Sequence, residues 1–316
     1  MDGILLITNA SAGSNEEQAV ADAVDVLDKD HDVEVAATKE PEELAAVLDR
    51  CDGRPVVVAG GDGTLHAVVN GLYRAGQLQS TCLGLVPLGT GNDFARGVGI
   101  PLDPAAAAHL IVDRHTSSIY LILAQDGTVI VNNVHLGVGA QASRKAEKWK
   151  PRLGKAGYVV GALAASLRPD FLHVDVFVDD EEVTLEDVVH DHLAQVAIGN
   201  GKYVGGGTAL IPGAEVGDGR LVVIVSRAVG RWGRVAYAAR LHGGTHHMMK
   251  EVTRLHGRSV TVKGEPFHTV ADGEIAGPFT ERCWELLRNA VRMYLPAPSE
   301  AAEAAEPTMG PPDGPV

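Results

Sequence analysis

The sequence predicts an α/β domain, built as a parallel sheet with helices on both faces, followed by a mainly antiparallel β-sandwich domain. Three observations predict it. Strand-like and helix-like patterns alternate as far as about Ser117. Two of the strand-to-helix junctions are glycine-rich loops carrying acids and hydroxyls, the kind of turn found at the ligand-binding edge of an open parallel sheet. From about Ile119 the pattern changes to short β-type runs broken by Gly and Asp, mostly without helices between them. The expected organisation is residues 1–118 as the α/β domain and 119–295 as the β-rich domain, whose last strand can return to the first. Residues 296–316, rich in Ala, Pro, Glu and Gly, are expected to be disordered.

Taken in order, Ile4–Thr8 reads as strand, Glu16–Leu27 as helix, Val33–Ala37 as strand and Pro41–Arg50 as helix. Val56–Ala59 is a β-branched run suited to a buried strand, Leu65–Tyr73 carries apolar residues at helical spacing, and Cys82–Val86 is strand again. The second half gives strands at Ile119–Ala124, Val129–Leu136, Leu172–Val178, Ala194–Ile198, Leu221–Val225 and Ser259–Lys263. Helical stretches are expected near Ala156–Leu167 and Gly233–Leu241.

The junction Val56–Leu65 is the most informative segment. Gly60, Gly61 and Gly63 let the backbone approach a ligand closely, and the turn amides with the helix N-terminus behind them suit phosphate oxygens. Asp62 beside phosphates needs a cation or a proton between them, which points to a nucleotide with Mg²⁺. One βα unit later, Pro87–Arg96 supplies Thr90, Asn92 and Asp93 at the same sheet edge. Neither loop is a G-x-x-x-x-G-K-[ST] motif, and the loose dinucleotide-type spacing at Gly137–Ala142 lacks the acid expected further on.

Together, the Gly60–Leu65 loop and the Gly89-Thr90-Gly91-Asn92-Asp93-Phe94-Ala95-Arg96 loop resemble the diacylglycerol kinase catalytic family, which includes sphingosine kinases and soluble bacterial lipid kinases. The likeness continues through Asn200–Gly207, Pro212–Ala214, Asp218–Leu221 and Asp272-Gly273-Glu274, in the family's order and over nearly the whole chain. A lone glycine–aspartate loop would fit NAD kinases and phosphofructokinases equally, and the first domain is expected to be like theirs. The resemblance implies an ATP- and Mg²⁺-dependent lipid kinase, with nucleotide on the first domain and acceptor lipid over the second. It implies nucleotide contacts at Asn9, Thr38, Gly60, Gly61, Asp62, Gly63, Thr64, Leu65, His66, Thr90, Asn92 and Asp93. Two positions depart from the family: Ala10 follows Asn9 where proline is usual, and His66 stands where asparagine is more common.

Three acids compete as the base that accepts the acceptor's hydroxyl proton. An extended segment would put Asp272 and Glu274 on one side, whereas a hairpin turn would leave them solvated. By resemblance Glu274 is the proton acceptor and Asp272 its support, with Asp62 orienting Mg²⁺ or the γ-phosphate and remaining an alternative base. Also by resemblance, Glu215, Asp218 and the Arg220 carbonyl form a second Mg²⁺ site, against a plain polar turn.

The formal charge of −14 disfavours nucleic acid and broad adsorption to anionic membranes. Three scattered cysteines exclude a disulfide framework or a zinc site, and no apolar stretch approaches bilayer-spanning length. The N-terminus is not of signal-peptide type, so a cytoplasmic enzyme meeting the inner face of the membrane transiently is expected. Arg144–Lys155, with six cations around Trp149, is the expected membrane contact. Arg227, Arg231 and Arg234 around Trp232 read as a solvated helix start. The histidines at 242, 246 and 247 lie beside a glycine pair without a third ligand at suitable spacing, so no transition-metal site is expected. The expected reaction is phosphorylation of a free hydroxyl of a membrane lipid, most simply diacylglycerol to phosphatidic acid. The alternatives are a kinase of a soluble hydroxyl compound such as NAD, or a non-catalytic lipid-binding regulatory module.

Overall fold

The computed structural model describes residues 3–10, 13–137, 171–184 and 192–297. The Arg144–Lys155 segment, the helix expected near Ala156–Leu167 and the tail from residue 298 lie outside the described residues, as does most of Gly137–Ala142.

The first domain alternates as expected: β1 (Gly3–Asn9), α1 (Ser14–Leu27), β2 (Asp32–Thr38), α2 (Pro41–Leu48), β3 (Val56–Gly60), α3 (Asp62–Arg74), β4 (Cys82–Pro87), α4 (Asp93–Val98) and α5 (Pro104–Val112). β1 pairs in parallel with β2 and β3, and β3 with β4. β1, β3 and β4 are largely buried on both faces because their residues alternate between two helical layers, whereas β2 is a partly exposed edge strand. Leu5, Ile7, Val56 and Val58 meet α2 and α3, while Ile4, Leu6, Val57 and Ala59 meet α1 and α5. Sequence pattern did not reveal α5, whose Asp103 caps it through the Ala106 N–H.

The second half adds β5 (Thr116–Ala124), β6 (Val129–Ile130), β7 (Asn133–Gly137), β8 (Val174–Val178), β9 (Glu181–Glu182), β10 (Gln195–Gly199), β11 (Leu221–Ser226), α6 (Arg231–His242), β12 (Val252–Gly257), β13 (Ser259–Ala271) and β14 (Glu274–Tyr294). Its antiparallel strands curl around a core that includes Val134, Leu136, Val196, Val223, Val260 and Trp284. The long β14 pairs antiparallel with β13 and β5, and its end runs parallel to β4, so one continuous sheet joins the halves. The single strand expected over Val129–Leu136 is broken between β6 and β7, where the backbone N–H groups of residues 131–133 turn toward a carboxylate described below. No described helix is long and apolar enough to cross a membrane.

Candidate active site

At the C-terminal edge of the parallel strands lies a cavity of about 780 Å³. Asn9 and Thr38 are register partners at the ends of β1 and β2, so their side chains enter it side by side. Gly61, Gly63, Thr64 and His66 line it from the start of α3, and Glu274 closes it from the second domain. Helix α3 begins at Asp62 rather than at Leu65, because extended Gly61 is its N-cap. No side chain caps that end, so its first N–H groups stay available to a phosphate. Leu65 offers nothing to a ligand: its side chain is in the core and its N–H bonds the Gly61 carbonyl.

Gly61 and Gly89 bring the two loops into backbone contact. A Cβ on Gly89 would lie 2.6 Å from the Gly61 Cα, so only glycine permits this crossing. The Asp62 carboxylate then accepts from the N–H groups of Asp93 (2.9 Å) and Phe94 (3.0 Å), fixing the start of α4. Asp93 in turn accepts from Gly207 (2.7 Å) and Gly206 (3.0 Å), which ties the second loop to the other domain. Burial pushes the Asp93 carboxyl above its ordinary range; those amide bonds oppose the shift, and the nearby Asp62 charge adds to it. Thr90 and Asn92 line a separate concavity of about 400 Å³, with Gly89 and the start of α1.

Asp272 and Glu274 do not share an extended segment. Ala271 and Glu274 are paired, and Asp272 (φ +46°) with Gly273 (φ +93°) forms the two-residue turn joining β13 to β14. Nor is Asp272 solvated: its side chain is 2% exposed. One oxygen accepts from His66 Nδ1 (2.9 Å) and the Val131 N–H (2.7 Å), the other from the N–H groups of Asn132 (2.9 Å) and Asn133 (3.3 Å). A carboxylate can only accept here, so the proton lies on Nδ1. Glu274 is exposed toward the cavity.

This constellation has known counterparts. Residues 3–124 match the diacylglycerol kinase catalytic domain, and residues 132–294 match the YegS C-terminal NAD kinase beta sandwich-like domain. The chain belongs to the diacylglycerol kinase catalytic-domain family. A protein of Klebsiella pneumoniae named "Probable lipid kinase YegS-like" is 35% identical over 223 residues, 69% of this chain and 71% of that one. Its counterpart in Pectobacterium atrosepticum is 31% identical over 71% of this chain and 74% of its own. The crystal structure of a diacylglycerol kinase from Bacillus anthracis superposes with a TM-score of 0.75 at 26% identity, covering 94% of this chain and 98% of that one. As a member of this family the chain is a lipid kinase.

Within this lipid kinase, a site-building residue carried no motif. Asn70, one helical turn beyond His66, donates to the Val129 carbonyl (2.7 Å) and accepts from its N–H (2.9 Å), fastening α3 to β6. Its i+4 spacing from His66 was the only local signal. Asn200, the first residue of the Asn200–Gly207 motif, donates through Nδ2 to the Tyr120 carbonyl at 2.6 Å. The Glu215, Asp218 and Arg220 group sits apart from the nucleotide cavity, with Glu215 lining a smaller one of about 230 Å³. There the Asp218 carboxylate accepts from the Arg220 Nε (2.9 Å) and N–H (3.2 Å), so its charge is already partnered by a guanidinium. Among the described residues no three His, Cys, Asp or Glu side chains gather as a metal cage.

His66 gives the site a pH dependence. Burial lowers its affinity for a proton, but the bond to Asp272 and the charges of Asp272 and Glu274 outweigh that, so its pKa lies above the ordinary 6.5. A base held this way stabilises the fold fully below 6.5 and loses that contribution as pH rises through its folded-state value. In His66→Asn the amide still donates to Asp272 but does not titrate. The urea midpoint of the wild type is therefore expected to fall more steeply than that of His66→Asn between slightly acid and alkaline pH. Parallel profiles would remove His66 from this role.

Proposed function

We propose that this lipid kinase transfers the γ-phosphoryl of ATP, with Mg²⁺, to the free hydroxyl of a membrane lipid, diacylglycerol being the simplest acceptor and phosphatidic acid the product. The observation that carries the reading is the cavity in which an uncapped helix N-terminus, paired Asn9 and Thr38, and an exposed carboxylate from the other domain converge. The amides at the start of α3 bind the phosphates, and Asn9 and Thr38 hold the nucleoside end. Mg²⁺ would suit a site with few carboxylates, since substrate phosphates and water would supply most of its ligands, and it would neutralise charge at the transferring group. Asp62, at N1 of α3, does not line the cavity: its carboxylate lies on the Asp93 and Phe94 amides, so its part here is to hold α4 and the second loop against the phosphate end. Glu274 accepts the hydroxyl proton as the phosphoryl group leaves. Asp272 is a positioning residue that fixes the turn carrying Glu274 and orients His66. The enzyme works from the cytoplasm at the inner membrane face, with Arg144–Lys155 as one point of contact.

The test is transfer from γ-labelled ATP with Mg²⁺ into vesicles containing diacylglycerol. Labelled phosphatidic acid is expected. Label appearing in another lipid changes the acceptor. Label confined to water-soluble product, with NAD supplied in parallel, overturns the lipid reading.

A further inference from the structure

Helix α6 has two apolar stripes, and the fold uses only one. Tyr237 and Leu241, four residues apart, face inward, where Tyr237 joins Leu210, Ile211 and Met249 in a buried cluster. The Tyr237 hydroxyl donates to Gln195 Oε1 at 3.1 Å, so the orientation of the helix is fixed. On the opposite side, Trp232, Val235 and Ala239 stand at i, i+3 and i+7, all exposed. Trp232 is 85% exposed and Val235 61%, and Met248, on the short turn that packs against α6, is 73% exposed. These are the three most exposed large apolar side chains among the described residues.

The charge around this stripe opposes that of the chain. From Arg227 to Lys250 there are five Lys and Arg side chains and no Asp or Glu, in a protein of net charge −14. Arg231 and Arg240 are exposed, and their helical positions flank the Trp232–Val235–Ala239 stripe on its two sides. Neither has a carboxylate partner among the described residues. Helices α1 to α4 carry acids in their first turns, whereas α6 begins with Arg231, so its positive end is reinforced instead of offset. An outward apolar stripe with an indole at its head and arginines along both margins is the pattern of a helix lying in a headgroup layer. A protein partner of matching acidity would meet the charges, but the isolated tryptophan and methionine suit the soft headgroup–acyl boundary better than a polar protein surface.

We propose that the outward face of α6, with Met248, is the surface by which this enzyme docks on an anionic lipid bilayer. The proposal rests on the lipid kinase reading for the choice of a bilayer as occupant. Docking here also bears on the site, because α6 is joined to the nucleotide loops through one segment. His246 Nε2 bonds the Leu210 carbonyl (2.9 Å), and Gly206 and Gly207 in the same segment donate to Asp93.

The experiment is co-sedimentation of the full chain with phosphatidylcholine vesicles, with and without phosphatidylglycerol, for wild type, Arg231→Gln/Arg240→Gln and Trp232→Ala/Val235→Ser. All four side chains are exposed, and unchanged urea midpoints check folding. The wild type is expected to bind the anionic vesicles in a salt-sensitive way, and the arginine variant about thirty-fold more weakly. The Trp232→Ala/Val235→Ser protein is expected to lose binding as well, and both variants to keep wild-type turnover on a dispersed short-chain diacylglycerol. Vesicle binding equal in wild type and variants overturns the proposal and moves docking to another surface. A change of oligomeric mass in the variants with vesicle binding intact also overturns it, assigning the stripe to a second copy. Wild-type binding without phosphate transfer to any lipid leaves the docking surface standing and removes the lipid kinase reading.

Discussion

Glu274→Gln is expected to lower kcat by about 10²–10⁴-fold while leaving the urea midpoint and the affinity for ATP near wild type. The exchange is nearly isosteric, and Glu274 is exposed to the cavity and away from the core, so the fold has little to lose. What disappears is the capacity to take a proton, together with the negative charge that helps hold the His66 pKa up. The same exchange at Asp62 tests less cleanly. Its two oxygens accept from the amides of Asp93 and Phe94, so Asp62→Asn sets an NH₂ group against one N–H and disturbs α4 as well as the phosphate end. Steady-state kinetics together with calorimetric ATP binding separate the cases. A Glu274→Gln protein with wild-type kcat would transfer the proton-accepting role to Asp62.

The parts of this molecule legible in the sequence are those set by short-range pattern. β1 and β3 read as strands because Ile4–Ile7 and Val56–Ala59 alternate between two apolar layers, and the glycine–aspartate loop was visible because close backbone approach demands glycine. What was not legible depends on partners far away in sequence. The β14 strand over Glu274–Tyr294 meets β13, β5 and β4 in turn, and Glu281, Arg282, Glu285 and Arg288 interrupt any single alternation. Asp272-Gly273 is a strong hairpin dipeptide, yet burial of Asp272 follows from amides about 140 positions earlier in the chain. On α6, period alone gives two stripes, and only packing against Leu210 and Met249 shows that Trp232 belongs to the outward one. The membrane contact expected at Arg144–Lys155 was sought in a run of charge. Arg227, Arg231 and Arg234 around Trp232 read in the sequence as a solvated helix start, because spacing alone does not show that Arg231 and Arg240 flank an outward apolar stripe.

Asp272→Asn is expected to destabilise the fold by about 3 kcal/mol and to lower kcat although residue 272 takes no part in the chemistry. Each carboxylate oxygen accepts from two donors, and an amide has only one acceptor oxygen. If the NH₂ group faces Asn132 and Asn133, two buried N–H groups meet another donor. If it faces the other side, His66 can move its proton to Nε2 and accept through Nδ1, but the Val131 N–H still loses its partner. Nε2–H would then face the Asn70 amide nitrogen, 3.3 Å away. Either arrangement leaves at least one buried donor unsatisfied and removes the charge that holds the His66 pKa up. The variant should therefore show a lower urea midpoint and lose the pH dependence that His66 contributes. Because the turn it anchors carries Glu274 two residues on, kcat should fall while KM for ATP changes little. A protein with the stability of wild type would mean that these four bonds are replaced by water. One that lost stability but kept kcat would mean that Glu274 is positioned by β14 alone.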